Sequence, residues 1–424
     1  MAFQIYRRSA TIAVSVAFDQ VAEHRHIVGL DLVRFVAAAM VMLFHLGFWS
    51  WAAPLGTIRR MMPNLPTFPE LTLVASVGWV GVEIFFVLSG FVIAYSADGS
   101  SAFAFFRSRF LRLMPAVWIC ASLVFAVFVA GDVVPFNELI PLYLKTLVVF
   151  PIGPWIDPVY WSLCVEVVFY GFILCLLLAN RFRQVEFFMG AIGIISALVW
   201  IMFSVSLLMP ALFGSLPAVL ERIQYSWKLK LLLVHHGCLF ALGVYLWLLL
   251  FKGVTLLRLI IACVCFVGGY FETLWFAQAQ AREVGMDLPT VAPAAIWVAS
   301  ILLIIASIAM NDRAYAWAGG GVRAIRMLGL MTYPLYLLHQ TVGNAVVLAL
   351  HDRGTPRFLA LFFGAATCLL ASGIVASALE PYLKRHLRPT LVGMETWLGR
   401  RKRIAFLLRT KAHASDSGRS ASAF

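Results

Sequence analysis

Two ionisable residues share the first strongly apolar stretch of the chain, Arg34 and His45. They are eleven positions apart. At about 100° per helical residue both face the same way to within roughly 20°, with about 16 Å between them along the axis. One helix face therefore carries a fixed cation near one end and a titratable base much deeper. A group of this kind costs roughly 2.5–3.5 kcal/mol at the centre of a spanning helix, so a functional role is the default reading. A buried imidazole can take a proton from a hydroxyl, and a guanidinium can hold phosphate. The plainer account is that Arg34 snorkels to headgroups while His45 hydrogen-bonds a neighbouring helix.

Further polar residues interrupt later apolar runs. Glu83, in Gly81-Val82-Glu83-Ile84-Phe85-Phe86-Val87-Leu88-Ser89-Gly90-Phe91, has no partner within helical reach and must be compensated from another helix, with His45 or an arginine the natural candidate. Gly81, Ser89 and Gly90 suit close helix packing and need no catalytic role. Arg109 and Arg112 share one face at the entry of the next run. Such a pair can grip phosphates, although anchoring to anionic lipid is the simpler use. Ser162, Glu166 and Tyr170 step by four residues into a polar stripe suited to lining a cavity, and Thr332, Tyr333, Tyr336 and His339 make another. Glu380-Pro381 closes the last run. His235, His236 and Glu272 sit near run ends and read as interfacial and structural.

The elements that must position these groups are membrane spans. Of 424 residues, 62% are apolar and 12% charged, and mean hydropathy is +0.90. Soluble domains run near half apolar and a quarter charged, so a soluble enzyme, a disordered chain and a disulfide scaffold are excluded. The expectation is an all-α polytopic protein of about ten transmembrane helices, at 28–50, 75–96, 113–131, 159–179, 187–209, 229–250, 256–276, 293–310, 328–350 and 358–379. Residues 139–156, broken by Pro141, Pro151 and Pro154, suit a re-entrant or interfacial segment better than a span. Residues 1–27 read as a cytoplasmic tail carrying Arg7 and Arg8, 28–385 as the transmembrane domain and 386–424 as a basic cytoplasmic tail with Arg400, Arg401, Lys402 and Arg403. Lysine and arginine are nearly even across the loops, so the tails set an N-in/C-in orientation. Residues 391–409 suit a helix lying on the inner surface, and the chain after Lys411 suits disorder. The net charge of +13 fits tails on anionic lipid, and no nucleic-acid motif appears. The seven cysteines lie in apolar runs, pair with no histidine at metal-type spacing and read as small buried hydrophobes. No metal is expected, and no internal repeat is visible.

Taken in order, these blocks resemble acyltransferase family 3, the bacterial membrane O-acyltransferases that decorate glycans. Arg34-x10-His45, the Gly81–Phe91 block, Arg109-x-x-Arg112-x-x-Pro115, Trp161-Ser162-Leu163-x-x-Glu166-x-x-Phe169-Tyr170 and Tyr333-x-x-Tyr336-Leu337-Leu338-His339 are similar to the family's motifs across residues 28–385. Thr332 stands where the family often has serine. The resemblance implies ten spans, a cytoplasmic acyl-CoA donor, with acetyl-CoA the default, and a hydroxyl acceptor on a glycan, a lipid-linked oligosaccharide or an exopolysaccharide or lipopolysaccharide precursor. It implies a bacterial inner membrane and catalysis by His45 as general base, with Glu83 holding its imidazole. Arg34, Arg109 and Arg112 would then bind the donor's phosphates, and Ser162, Glu166, Tyr336 and His339 the substrates. The competing reading is a proton-coupled transporter or glycan flippase that uses the same buried charges as a relay; the absence of visible symmetry counts weakly against it.

Overall fold

The computed structural model describes residues 26–397. Among the described residues it is all-helical, with 82% of them in helix and no strand. Eleven helices organise it: α1 Val28–Ala52, α2 Pro69–Ala97, α3 Ala102–Ala130, α4 Phe136–Leu147, α5 Tyr160–Leu178, α6 Phe182–Leu208, α7 Gly237–Phe251, α8 Leu256–Val284, α9 Val291–Ala309, α10 Val322–His351 and α11 Arg357–Trp397. Eight of these, α1–α3, α5, α6, α8, α9 and α11, are long and apolar enough to cross a bilayer, which makes this a multi-pass membrane protein.

The other two expected spans are helices of a different kind. In place of 229–250, a short helix Trp227–Leu231 and a turn lead into α7, which has 15 residues and is buried along nearly its whole length. Such a helix is about 22 Å long, short of a hydrocarbon core of about 30 Å. The 30-residue α10 is long enough, but Thr332, Tyr336, His339, Gln340, Thr341 and Asn344, all buried, lower its hydropathy. Its polarity faces inward rather than toward lipid.

The segment at 139–156 divides into α4 and an irregular stretch that runs to the start of α5. This stretch is anchored inside the protein: the Ile156 amide donates to Thr146 Oγ1 at 3.0 Å, and the wholly buried Asp157 accepts from the Val159 amide at 3.0 Å and from the Thr341 hydroxyl. Burial pushes the Asp157 carboxyl up to about 6. The expected domain boundary at 385/386 falls inside α11, which continues to Trp397. Of the expected surface helix, 391–397 belong to α11; the rest, the basic run and both tail ends lie outside the described residues. Two cysteines depart from the expected burial: Cys175 and Cys263 are exposed on the outside of the bundle, while the other five are buried.

Small residues set the close approaches. A Cβ at Gly243 of α7 would lie 2.1 Å from the Val87 carbonyl oxygen of α2, and one at Gly90 would lie 2.1 Å from that of Phe240. Glycine is required at this crossing because the two backbones touch. A Cβ at Gly78 would likewise lie 2.1 Å from Met40 O, which brings α2 onto α1. The central α10 packs on α1, α3 and α11, and α7 on α2, α6 and α8, so the polar faces of α1, α2, α5 and α10 meet inside the bundle.

Candidate active site

Two cavities lie one behind the other along α1. The first, about 110 Å³, is lined by Arg34, Arg109 and Arg112 with Ser89, Glu166 and Tyr170. The second, about 310 Å³, is lined by His45 and Glu83, by Trp49, Trp79 and Trp161, and by Lys230, Gln280 and Gln340. Val82 and Tyr336 line both. The helical offset between Arg34 and His45 is thus the offset between two chambers.

In the second chamber, α1 passes into a π-helical turn, His45–Trp49, at the imidazole itself. Such turns re-aim side chains and are frequent at functional sites. His45 Nδ1 lies 3.0 Å from Val41 O and 2.9 Å from His339 Nε2. His339 is fully buried, and its Nδ1 lies 2.8 Å from Tyr336 O. The proton assignment follows from the partners. His339 Nδ1 faces carbonyls and must donate, so its Nε2 accepts. His45 Nδ1 faces two acceptors and must donate, which leaves the lone pair on His45 Nε2. His45 is therefore held through Nδ1 in one tautomer, with the Nε2 lone pair left over on the wall of a chamber.

Glu83 and His339 sit differently from the positions expected of them. No hydrogen bond or ion pair joins Glu83 to His45; the orienting partner is His339. His339, expected among the substrate contacts, is wholly buried with both ring nitrogens engaged by the protein. Glu83 instead belongs to a cluster from three helices. His236 Nδ1 lies 2.5 Å from Glu272 Oε1 and 3.7 Å from Glu83 Oε2, and the Cys238 thiol donates to Glu272 Oε2 at 3.2 Å. His235, His236 and Glu272, expected at the interface, are buried. His235 is structural, its ring bonded to Ile223 O at 2.7 Å. Glu83, His236 and Glu272 each place a ligand-competent atom within 4.8 Å of the others, so this is where a metal ion could be held. Lys230 supplies a counter-cation: its ammonium, 4.7 Å from the Trp161 ring centroid, is pulled below its ordinary range by burial, against the attraction of Glu83 and Glu272. The signal for the cluster was present in sequence as ionisable residues inside or beside spans, but their meeting was not.

The first chamber brings together what the spacing proposed. Arg34, held by Asp31 at 3.7 Å, joins Arg109 and Arg112 from α3. Three guanidinium groups face one carboxylate, Glu166, whose Oε1 accepts from Tyr170 OH at 2.6 Å and from Ser89 Oγ at 2.5 Å. Ser89 is thus more than a packing residue. Arg109 Nε is buried without a partner. The excess of uncommitted donors suits a polyanion carrying phosphates. Ser162 joins Tyr336 at 2.7 Å in the wall between the chambers.

A family model described as an acyltransferase domain, that of acyltransferase family 3, matches residues 27–377. No curated protein and no solved structure matches the chain.

Proposed function

Since the chain belongs to acyltransferase family 3 and spans a membrane many times, we propose that it is a membrane O-acyltransferase of the bacterial inner membrane. It moves an acyl group, acetyl by default, from acyl-CoA to a hydroxyl of a glycan or of a polysaccharide or lipopolysaccharide precursor. The observation that carries this reading is the free Nε2 of His45, oriented by His339, on the wall of a chamber stacked against the arginine chamber.

In this reading Arg34, Arg109 and Arg112 bind the phosphates of coenzyme A from the cytoplasmic side that the basic tails define. The pantetheine arm runs toward Tyr336, and the thioester reaches the second chamber. The acceptor occupies that chamber. Tryptophans are suited to stack on sugar rings, and Glu83 Oε2, Gln280 Oε1 and Gln340 Oε1, none of which accepts a hydrogen bond within the protein, are suited to accept from sugar hydroxyls. His45 takes the acceptor proton as its oxygen attacks the thioester carbon, and returns it to the departing thiolate. His339 acts through His45 as a positioning residue, and Glu166 holds its place through Ser89 and Tyr170.

His45→Ala is expected to abolish acyl transfer while coenzyme A binding and folding in detergent persist. Full O-acylation of surface glycans by that variant, measured by mass spectrometry against a deletion strain, would refute the assignment. The buried Glu83–His236–Glu272–Lys230 cluster is also the feature a proton-coupled transporter would use. Proton-driven uptake into vesicles with no thioester consumed would select that second reading.

A further inference from the structure

The proposed reaction requires a donor for the negative charge that develops on the thioester oxygen, and the wall between the chambers offers one. The acyl carbon must reach His45 while the nucleotide stays with the arginines, so the thioester lies where the two cavities adjoin. Two residues line both cavities, Val82 and Tyr336. Val82 offers only hydrocarbon. Phe85 packs edge-on against the Tyr336 ring at 5.9 Å and fixes its plane.

Tyr336 OH and Ser162 Oγ lie 2.7 Å apart, and either can be the donor. Both also reach the Val159 carbonyl, Ser162 at 3.2 Å and Tyr336 at 3.4 Å. Two directions of the pair are therefore available. In one, Ser162 donates to Val159 O and accepts from Tyr336. In the other, Ser162 donates to the Tyr336 oxygen, and the phenol proton, whose protein acceptor is then Val159 O at a long 3.4 Å, can turn to a carbonyl in the cavity. Reversal keeps the Ser162–Tyr336 hydrogen bond, and a donor backed by a second donor is strengthened in a low-dielectric site.

We propose that the Tyr336 hydroxyl, polarised by Ser162, is the oxyanion donor of this acyl transfer; this deepens the O-acyltransferase reading and rests on it. As the acceptor oxygen bonds to the thioester carbon, His45 Nε2 takes its proton and the carbonyl π pair moves to oxygen, where Tyr336 O–H receives it. The pair then re-forms the carbonyl, the C–S bond breaks, and the His45 proton passes to the thiolate.

The test needs no acceptor. Coenzyme A and a trifluoromethyl ketone analogue of acetyl-CoA, whose hydrated carbonyl imitates the tetrahedral centre, are titrated into the full-length protein in detergent. The wild type should bind the analogue more tightly than coenzyme A. In Tyr336→Phe that preference should fall at least about tenfold while coenzyme A affinity stays within about twofold, since the arginine chamber is untouched. Acyl transfer should fall by on the order of 10²–10³. Ser162→Ala, which leaves the phenol in place, should lose less of the preference and serves if the first variant folds poorly. An unchanged preference in Tyr336→Phe, or none in the wild type, overturns the oxyanion role and leaves the donor reading intact. A wild type that binds no coenzyme A removes the donor reading and this role with it.

Discussion

Replacing His339 tests how the base is held. His339→Ala removes the acceptor 2.9 Å from His45 Nδ1 but leaves Val41 O at 3.0 Å, so the His45 tautomer is kept and only its orientation loosens. One hydrogen bond of this kind contributes on the order of 1–1.5 kcal/mol, which is about tenfold in rate. Removing the base itself in His45→Ala should cost about 10²–10⁴. The sharper expectation concerns the pair. If His339 acts only through His45, the double variant should be no slower than His45→Ala, because nothing remains to be positioned. His339→Gln, which can still present an oxygen to His45 Nδ1, should recover part of the loss. The assay is coenzyme A release by membranes containing each variant and the native acceptor, beside coenzyme A affinity on purified protein. A further tenfold fall in the double variant, at unchanged affinity, would show His339 acting on substrate directly and would refute the positioning role.

Other outcomes follow from the same geometry. Arg109→Ala and Arg112→Ala should each weaken coenzyme A binding by roughly 10–100-fold, the scale of a charged hydrogen bond lost in a partly closed site, and the effect should shrink in high salt; calorimetry that finds both unchanged would return them to lipid anchoring. Gly243→Ala drives a methyl group onto the Val87 carbonyl and should destabilise by about 1–3 kcal/mol or more, seen as a lowered thermal midpoint in detergent, whereas Gly171→Ala, inside α5 with nothing near its Cβ, escapes that clash. Asp157 gives a pH test. Its folded carboxyl is pushed up to about 6 from an ordinary 3.8. The fold thus prefers the neutral form, and the stability this confers is fully present below about 3.8 and lost as pH rises through about 6. Asp157→Asn should flatten that part of the midpoint-versus-pH curve between about 4 and 7, and an unchanged slope would locate it elsewhere.

Helical periodicity and the cost of charge in lipid made much of this protein legible before its fold was known. Arg34 and His45 had to share a face because eleven residues nearly close three turns, and Ser162, Glu166 and Tyr170 had to form a stripe. Apolar runs of span length marked the helices, apart from the shortened α7 that follows Trp227–Leu231 and the polar α10. What lay beyond reach was pairing between helices. Glu83 plainly needed a partner, but periodicity within a segment says nothing about which face of which other segment it meets. The glycine contacts that bring α2 onto α1 and α7 decided that. They delivered Glu83 to His236 and Glu272, and the packing of α10 against α1 delivered His45 to His339. Local sequence determines which residues a helix can offer together; only tertiary packing, fixed by close contacts far apart in the chain, determines what they are offered to.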